Sequence, residues 1–525
     1  MADEVSAPAF VMPASAGEGS SPKTGGRIEG GVDAVVIGAS LDGLGAAALL
    51  GKAGLKTILL GAGGAAQGDE RREFEPGFFC IDGEHVVTHL DPELVAGLDL
   101  YRHGLEFAGR RLESVYYFSD GGALVMDGDP YYSREAVAAL TPDDAERYTA
   151  FLETALECAR ALRPFFAAGA APAPLAPHAG TIERFLAASV DDVLDATFEE
   201  EHLKALLTAE ALFRSGQRPG EPYSFAALIR RLAGEAAGLQ GASAYPKGGA
   251  QGVRIAARRA AQAAKVDFRP ATGARLVLVE WDRIAGVETS DGGQIRTPIV
   301  VNALAARRAF LDLVGPSLLD IEFQATLEKP PPRLASARVH FAIAGEAWDE
   351  RTRANLARRL VYAPDREEIA RLFALARRGE VAGPMIMEAV FPSAYDPSLA
   401  PEKSCVVSAL VHPVPFRETA DEAFRESVAA KARETFERMA PGVAARILRA
   451  DVRLASDEAK ETGALDAAPS VLAAWARARK LTRGSGIDGY FFCGPEAQIG
   501  PGLGGAAGRL AAEAATLYAR RKVRA

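Results

Sequence analysis

Cysteine is scarce and scattered in this chain of 525 residues. The four cysteines, Cys80, Cys158, Cys405 and Cys493, form no C-x-x-C pair and lie far apart. This spacing argues against a zinc site, a redox dithiol or a disulfide framework, and it fits a reducing compartment. The seven histidines also lack the spacing of metal ligands. We therefore expect no metal site.

Long apolar runs are also missing. A membrane-spanning helix needs about 18 uninterrupted apolar residues, and no stretch of this chain is that long. The first 30 residues are rich in Ala, Ser, Pro and Gly, with Asp3 and Glu4 near the start, so they lack the basic start and apolar core of a signal peptide. We expect residues 1–30 to be a disordered tail and the protein to be cytoplasmic, with peripheral membrane contact left open.

A surplus of positive charge is absent as well. The net charge is −9, from 60 basic and 69 acidic residues that are interspersed. This balance argues against a nucleic-acid partner. The length allows two or three domains, and a hydrophobic content of 48% supports sizeable cores.

A strand–turn–helix–strand pattern covers residues 32–61. The apolar run 33–37 predicts a buried strand, the stretch 41–52 predicts a helix, and 55–60 predicts a second strand. Gly38 allows the tight turn between the first strand and the helix. This order is typical of the βαβ unit that binds dinucleotides.

The glycine motif of this unit departs from G-x-G-x-x-G. It reads Gly38-Ala39-Ser40-Leu41-Asp42-Gly43, so the first and third glycines are present and Ser40 replaces the second. Asp42 falls in the first helical turn, where the helix dipole favours an anion. Its carboxylate either takes the place of a phosphate or is an ordinary acid at a helix start.

The acidic residue that would bind the adenosine ribose is missing. It should end the second strand, where Gly61 follows Leu60. Glycine offers no side-chain acceptor, and a lost hydrogen bond to a charged group costs about 1.5–3 kcal/mol. We expect a weakened hold on the nucleoside, and we expect Gly61→Glu to strengthen it.

The chain alternates between two kinds of segment. Residues 31–90, 242–310 and 483–525 carry buried strands and glycine turns, and predict one doubly wound, Rossmann-like α/β domain. The second block includes a hairpin at 275–289, and the third runs from a strand at 489–494 through a glycine cluster into the terminal helix. Residues 91–241 and 311–482 predict an α+β substrate domain, with helices at 143–162, 182–207 and 422–439.

Several segments, in this order, resemble the phytoene desaturase-like group of FAD-dependent oxidoreductases, within the amine-oxidase-type flavoproteins. They are Pro76-Gly77-Phe78, Leu90-Asp91-Pro92-Glu93-Leu94, the stretch 98–106, Tyr245-Pro246-Lys247-Gly248-Gly249, Phe391-Pro392-Ser393, the stretch 396–401, and Cys493-Gly494 through Gly508. Together they span the chain from about residue 32 to its end.

The resemblance implies an FAD domain interrupted by a substrate domain, and hydride abstraction from a C–H bond of an apolar or amine-like substrate. It assigns FAD binding to the glycine motif and the C-terminal glycine segment. The cofactor-binding candidates are Gly38, Ala39, Ser40, Asp42, Gly43, Gly61, Gly494, Gly502, Leu503, Gly504 and Gly505. No catalytic residue is assigned, although Glu84, His85 and His89 follow a segment that often faces the flavin in such folds.

Two further interpretations stay open. Three departures, at Ser40, Asp42 and Gly61, fall together at the adenosine end of one ligand. They favour the alternative of a degenerate, flavin-free relative that acts as a binding subunit or as the partner of a paralogue or of a second copy. A dehydrogenase that uses NAD(P) alone is disfavoured, because the missing acid is no better for NAD and no arginine pattern suggests a 2′-phosphate site.

Overall fold

The computed structural model describes residues 28–61, 71–81, 83–168, 178–328, 333–345, 348, 350–462, 470–483, 485–499 and 504–524. The expected tail at 1–30 therefore lies almost wholly outside the described residues.

A parallel sheet of five short strands, here called the dinucleotide sheet, forms the first layer. Its strands, in spatial order, are Asp267–Arg269, Thr57–Leu60, Ala34–Ile37, Val300–Asn302 and Tyr490–Phe492. The strand order turns back between Ala34–Ile37 and Val300–Asn302, which pair in parallel. This is a topological switch point, and ligands of doubly wound sheets bind beyond the carboxyl ends of the strands there.

A second sheet of seven strands, here called the substrate sheet, lies beside it in the fold. Its spatial order is Ile447–Leu454, Leu334–Ala344, Ser404–Pro415, Ile386–Val390, Arg359–Tyr362, Ser114–Tyr117 and Ala123–Met126. All neighbours are antiparallel except Arg359–Tyr362 and Ser114–Tyr117, which are parallel. Its strands come from the two regions that the sequence assigns to the substrate domain.

Smaller β-elements complete the fold. Ala274–Glu280 and Arg283–Thr289 form the predicted hairpin, and Gln294–Arg296 and Ile28–Glu29 extend it to four strands. The remaining strand pairs are Arg71–Glu75 with Phe78–Ile81, Phe107–Gly109 with Tyr245–Pro246, and Glu235–Ala236 with Leu239–Gln240.

The α-helices cover both sheets and their junction. They are Leu41–Lys52, Pro92–Leu98, Arg134–Leu140, Pro142–Ala168, Ala179–Ala187, Val190–Thr197, Glu201–Leu212, Ala226–Ala233, Gly249–Ala263, Ile321–Leu327, Glu350–Ala354, Arg366–Arg377, Pro392–Tyr395, Glu422–Met439, Ala455–Thr462, Val471–Thr482 and Ala506–Arg524. The helices Leu41–Lys52 and Ala506–Arg524 pack against each other, and their first turns meet beyond the dinucleotide sheet.

One predicted helix is wrong. The apolar periodicity of 182–207 predicts a single helix, but three helices occupy this region. Ser189 is extended (φ −82°, ψ 160°), and its side chain accepts a hydrogen bond from the backbone N–H of Asp192. A new N-cap therefore starts the Val190–Thr197 helix, and its local hydrogen bond outweighs continued helical periodicity.

The described residues contain no helix that is long and apolar enough to cross a membrane. They also contain no group of three or more His, Cys, Asp or Glu side chains placed to hold a metal ion. All four cysteines are free thiols, and Cys80, Cys158 and Cys493 are buried.

Candidate functional site

The glycine turn lies at the carboxyl end of the central strand of the dinucleotide sheet. Gly38 has φ +99°, a conformation that L side chains rarely adopt, and its N–H donates to the Leu60 carbonyl. A Cβ on Gly43 would overlap the Gly38 carbonyl oxygen. The first and third glycines of the motif therefore permit the tight turn and the close packing that the sequence predicts.

Ser40 starts the helix that follows this turn. It is the N-cap of Leu41–Lys52, with φ −63° and ψ 172°, and its Oγ accepts a hydrogen bond of 3.3 Å from the Gly43 N–H. The first N–H groups of a helix have no intrahelical acceptor, and the first intrahelical bond here runs from Leu44 N to Ser40 O. Ser40 thus serves the helix, while Ala39 and Leu41 contribute backbone to the turn.

Asp42 connects the two helices that meet beyond the dinucleotide sheet. One carboxylate oxygen accepts a hydrogen bond of 2.8 Å from the N–H of Gly508, in the first turn of Ala506–Arg524. The other accepts a hydrogen bond of 2.8 Å from Gln498 Nε2. The acid therefore lies at the positive ends of two helix dipoles at once, and is not an ordinary solvated first-turn residue.

Burial dominates the electrostatics of Asp42. It raises the pKa of the carboxyl from 3.8 to about 7, the bond from Gly508 opposes this, and the charge of Asp91 adds to it. Asp91 is itself held by Arg509, whose Nε lies 2.6 Å from the carboxylate. The site between the two helices therefore holds a carboxyl group that changes protonation state near neutral pH.

Gly61 closes the end of the Thr57–Leu60 strand. Its N–H donates to the Arg269 carbonyl, and a Cβ at this position would overlap the carbonyl oxygen of Pro270. A glutamate introduced here would clash with backbone before it could reach a ribose. The expectation that Gly61→Glu strengthens nucleoside binding is therefore wrong, because the neighbouring chain leaves no room for a side chain.

The C-terminal glycine segment is described in part. Gly494 follows the last strand, and a Cβ there would overlap the Leu304 carbonyl oxygen. Gly504 exchanges backbone hydrogen bonds with His89 and Asp91, and Gly505 has φ +98° just before the C-terminal helix. Gly502 and Leu503 lie outside the described residues.

The residues present suit one half of FAD better than the other. The glycine turn and the first amides of Leu41–Lys52 can hold a pyrophosphate, since helix starts bind anions through backbone N–H groups. The end of Thr57–Leu60 offers no side-chain acceptor for the ribose, and the Pro270 backbone closes it. The fit is therefore adequate at the pyrophosphate and poor at the adenosine.

A large cleft opens between the segment 84–89, the substrate sheet and the helices of residues 201–233 and 471–482. It encloses about 850 Å³, including space open to solvent. An adjoining cavity of about 550 Å³, also partly open, reaches Gly504 and Ala506 at the start of the C-terminal helix. Both cavities are lined by His89, Arg230 and Ile499, so they adjoin at these residues, one beside the substrate sheet and the other beside the glycine segment.

Buried charges line the cleft. Arg359, on the substrate sheet, is only 2% exposed and contacts Glu210 through Nη1 at 2.6 Å and Glu388 through Nε. Glu210 also accepts a hydrogen bond of 2.8 Å from the Tyr116 hydroxyl. Burial opposes its ionisation, but Arg359 and Arg231 together keep the pKa of Glu210 below its usual value. This carboxylate therefore stays charged inside the protein.

Two of the three sequence candidates reach the cleft. Glu84 lines it and forms a bidentate ion pair with Arg214. His89 lines it as well, and its Nε2 lies 3.0 Å from the Arg230 carbonyl oxygen, so this nitrogen carries the proton. Its Nδ1 accepts from Thr88 Oγ1 at 2.8 Å. Both nitrogens of His89 are thus engaged by the protein.

His85 does not reach the cleft. Its Nδ1 lies 2.8 Å from Arg338 Nη1 and 2.9 Å from the hydroxyl of Ser408, and the ring is buried. Burial, and after it the charge of Arg338, lower the pKa of this histidine well below 6.5. His85 therefore supports the substrate sheet as a neutral ring.

Sequence reasoning missed most of the charged wall. Glu210 lies in the helix Glu201–Leu212 and Arg214 in the turn that follows it, whereas Arg359 and Glu388 lie in two strands that are distant from them in the chain. The one available signal was a charged residue inside an apolar strand, as with Arg359 in Arg359–Tyr362 and Glu388 in Ile386–Val390. Charged residues in strands that are buried on both faces point to partners or to a site.

No known family model matches the chain. A mouse protein, pyridine nucleotide-disulfide oxidoreductase domain-containing protein 2 from Mus musculus, is 25% identical over 547 aligned positions, covering 93% of this chain and 94% of the mouse protein. The cyclohexylamine oxidase of Brevibacterium oxydans superposes with a TM-score of 0.59 at 17% identity, covering 94% of this chain and 99% of the oxidase. An oxidoreductase from Methanosarcina mazei gives a TM-score of 0.59 at 16% identity, covering 92% and 100%.

These relatives match the chain over nearly its whole length, so the likeness covers both sheets. Putrescine oxidase, with a TM-score of 0.60, and a putative protoporphyrinogen oxidase from an Exiguobacterium species, with 0.53, share the same architecture. The fold that the resemblance implies is confirmed: this chain has the mixed α/β fold of these oxidases.

Proposed function

We propose that this protein is an FAD-dependent oxidoreductase that removes a hydride from a C–H bond of a small molecule held in the cleft. The two adjoining cavities, one beside the substrate sheet and one at the start of the C-terminal helix, are the observation that carries the proposal. In a doubly wound fold, this region lies beyond the carboxyl ends of the strands, where ligands bind. The order of the segments that resemble the phytoene desaturase-like group supports the same reaction.

Bound FAD would supply the acceptor for the hydride. The Gly38 turn and the first amides of Leu41–Lys52 would hold its pyrophosphate, and the glycines before Ala506–Arg524 would border the ring. The chain itself orients the substrate. The carboxylate of Glu84 forms an ion pair with Arg214. Burial and the charge of Arg230 lower the pKa of His89 and keep its ring neutral. Neither group is therefore free to accept a proton from the substrate.

The deciding experiment is cofactor extraction from the purified protein. We expect a yellow protein with a flavin absorption spectrum, and a released compound with the mass of FAD in about stoichiometric amount. A colourless protein that takes up no FAD on incubation would refute the proposal. A released compound with the mass of FMN would also refute it, since the adenosine half would then have no role.

A flavin-free binding subunit is the second candidate, and Asp42 is the observation that favours it. The carboxylate already satisfies the N–H of Gly508 at the start of the C-terminal helix, so this helix end needs no bound anion. In that case the cleft would serve binding alone, and the protein would pair with a second copy or with an active paralogue. The same extraction separates the two candidates, because only the first requires a flavin.

A further inference from the structure

A third cavity, here called the side chamber, is lined by helices and by strands of the substrate sheet. It encloses about 650 Å³, including space open to solvent. The elements that line it include the helices Pro142–Ala168, Glu201–Leu212 and Ala226–Ala233 and the strands Ser114–Tyr117, Ala123–Met126 and Arg359–Tyr362. Small-molecule sites in proteins are concave and mainly apolar, and enclose about 300–1,000 Å³. The side chamber is in this range.

The alternation of side chains along two strands brings a buried arginine to the side chamber. Ser114 pairs in register with Arg359, and Tyr116 pairs with Val361. Successive residues of a strand face opposite sides of a sheet, so these four side chains share one face. Tyr116 and Val361 belong to the core of the helical region, whereas Val115 packs in a different core. The shared face is therefore the one that the helices cover.

The charged side chains of the side chamber are paired. Among the described residues that line it, they are Arg231, Arg359, Glu210 and Asp127. Glu210 lies 2.6 Å from Arg359 Nη1 and 3.5 Å from Arg231 Nε. Asp127 forms an ion pair of 2.9 Å with Arg111. Two cationic and two anionic side chains thus line the chamber, and each has a partner, so an ionic ligand would have to displace one of these partners.

The two arginines also donate to neutral groups around the side chamber. Arg231 donates to the Gly241 carbonyl oxygen at 2.9 Å and to the Ser243 hydroxyl oxygen at 2.8 Å. Arg359 Nη1 donates to the Ser114 hydroxyl oxygen at 3.2 Å. A ligand that drew these donors away would leave buried acceptors unsatisfied, which is costly. The polar end of the chamber is therefore complete without a polar ligand.

Apolar side chains make up most of the remaining lining. Six leucines contribute, namely Leu112, Leu152, Leu206, Leu207, Leu228 and Leu232. The rings of Tyr116, Tyr148 and Phe151 line the chamber as well. Burial of apolar surface among such side chains is favourable, and aromatic rings pack against one another with centroids about 4.5–7 Å apart. This lining suits an uncharged aromatic ring.

We propose that the side chamber is a binding site for a small, uncharged aromatic molecule, distinct from the cleft that the proposed function uses. Glu210, Arg231 and Arg359 line both cavities, so their ion-pair cluster is a shared boundary. Binding in the side chamber needs neither flavin nor turnover. The proposal therefore stands or falls independently of the oxidoreductase.

The test compares three probes that share one ring and differ in charge: benzyl alcohol, benzylamine and benzoate. Binding to the purified full chain is measured by NMR titration near neutral pH. We expect benzyl alcohol to bind at least about tenfold more tightly than either ion, because moving a charge into a buried site without a free partner is costly. The proposal is overturned if benzyl alcohol does not bind, or if benzylamine or benzoate binds as tightly.

Two filling variants locate the site. Leu207→Trp places a large ring in the side chamber and should weaken the binding of benzyl alcohol at least about tenfold. Leu410→Trp is the matched control, because Leu410 lines the cleft, and it should leave this affinity unchanged. Unchanged binding in a folded Leu207→Trp variant, or lost binding in Leu410→Trp, refutes the assigned site. If either variant fails to fold, Leu207→Phe and Leu410→Phe decide by the same comparison.

Thermal stability gives a second measurement that needs no ligand. A cavity accepts a larger side chain at little cost, whereas a close-packed core does not. Leu207 is 9% exposed and Leu194, in the same core, is 0% exposed. Leu207→Phe should therefore keep the melting temperature within about 2 °C of the wild type, while Leu194→Phe should lower it further. An equal loss in the two variants would contradict a chamber with room for a ligand.

Discussion

The stability of an Asp42→Asn variant should increase relative to that of the wild type as the pH rises. The native state raises the pKa of Asp42 from 3.8 to about 7, so it binds this proton more tightly than the unfolded chain does. The stabilisation from this group is complete below about pH 4 and is lost as the pH rises towards 7. Three pKa units correspond to roughly 4 kcal/mol in total, at 1.36 kcal/mol per unit.

Asparagine keeps the shape of the side chain but does not titrate. Its oxygen can still accept from the Gly508 N–H, and the Gln498 amide can turn to face the new amide group. Most of the pH-dependent loss in the wild type falls between pH 5 and pH 8, where linkage gives about 3 kcal/mol. The stability of Asp42→Asn relative to the wild type should therefore rise by about 3 kcal/mol across this interval.

The assay is equilibrium unfolding in urea at pH 5, 6, 7 and 8, with the two proteins measured side by side. Asp144→Asn is the control with the opposite expectation. The Asp144 carboxylate accepts the N–H groups of Glu199 and Glu200, and its pKa is lowered although burial opposes this. Asp144→Asn should therefore be destabilised by a constant amount from pH 5 to pH 8, since Asp144 stays ionised there. If the difference in unfolding free energy between Asp42→Asn and the wild type does not change with pH, the raised pKa of the buried Asp42 is refuted.

Three further substitutions test the neighbourhood of the site. Gly61→Glu should destabilise the protein and should not raise its affinity for FAD, as judged by melting and flavin titration, whereas Gly180→Ala, with no heavy atom within 4 Å of its added Cβ, should leave the melting temperature nearly unchanged. Ser40→Gly should raise flavin occupancy by opening the turn, while costing only a few tenths of a kcal/mol as a cap; Ser189→Gly, at an N-cap remote from the turn, should leave occupancy as it was. Arg359→Met should cost about 3–5 kcal/mol, because it leaves two buried carboxylates without their shared partner, and a loss below about 1 kcal/mol in urea unfolding would contradict the ion-pair network.

Local patterns in the sequence predicted the βαβ unit of residues 32–61 correctly. The helices predicted at 41–52 and at 422–439 each begin and end at the predicted residues in the structure. Both combine apolar periodicity with an N-cap side chain, Ser40 or Asp421, so local and tertiary signals agree. Long periodic segments with caps are therefore the part of this fold that sequence reveals.

The charged side chains that line the cleft could not be predicted in the same way. Arg359 and Glu210 are 149 residues apart in the chain, and nothing local to either residue indicates the other. The same applies to Asp42 and Gly508, which are 466 residues apart. The sequence left two interpretations of Asp42 open, a substitute for a phosphate or an ordinary acid at a helix start. Only the three-dimensional arrangement shows that it contacts a second helix.

The dinucleotide sheet also constrains how this protein can be made in the cell. Val300 pairs with Val35 on one side and with Tyr490 on the other, so the sheet joins the beginning, the middle and the end of the chain. A ribosome adding about 5–20 residues per second needs roughly 10–40 s to travel from residue 302 to residue 490. During that time the edge of Val300–Asn302 waits unpaired while the intervening region is synthesised. Shortened versions that end before the last strand should aggregate, and chaperones that shield open strand edges should raise the yield of the full-length protein.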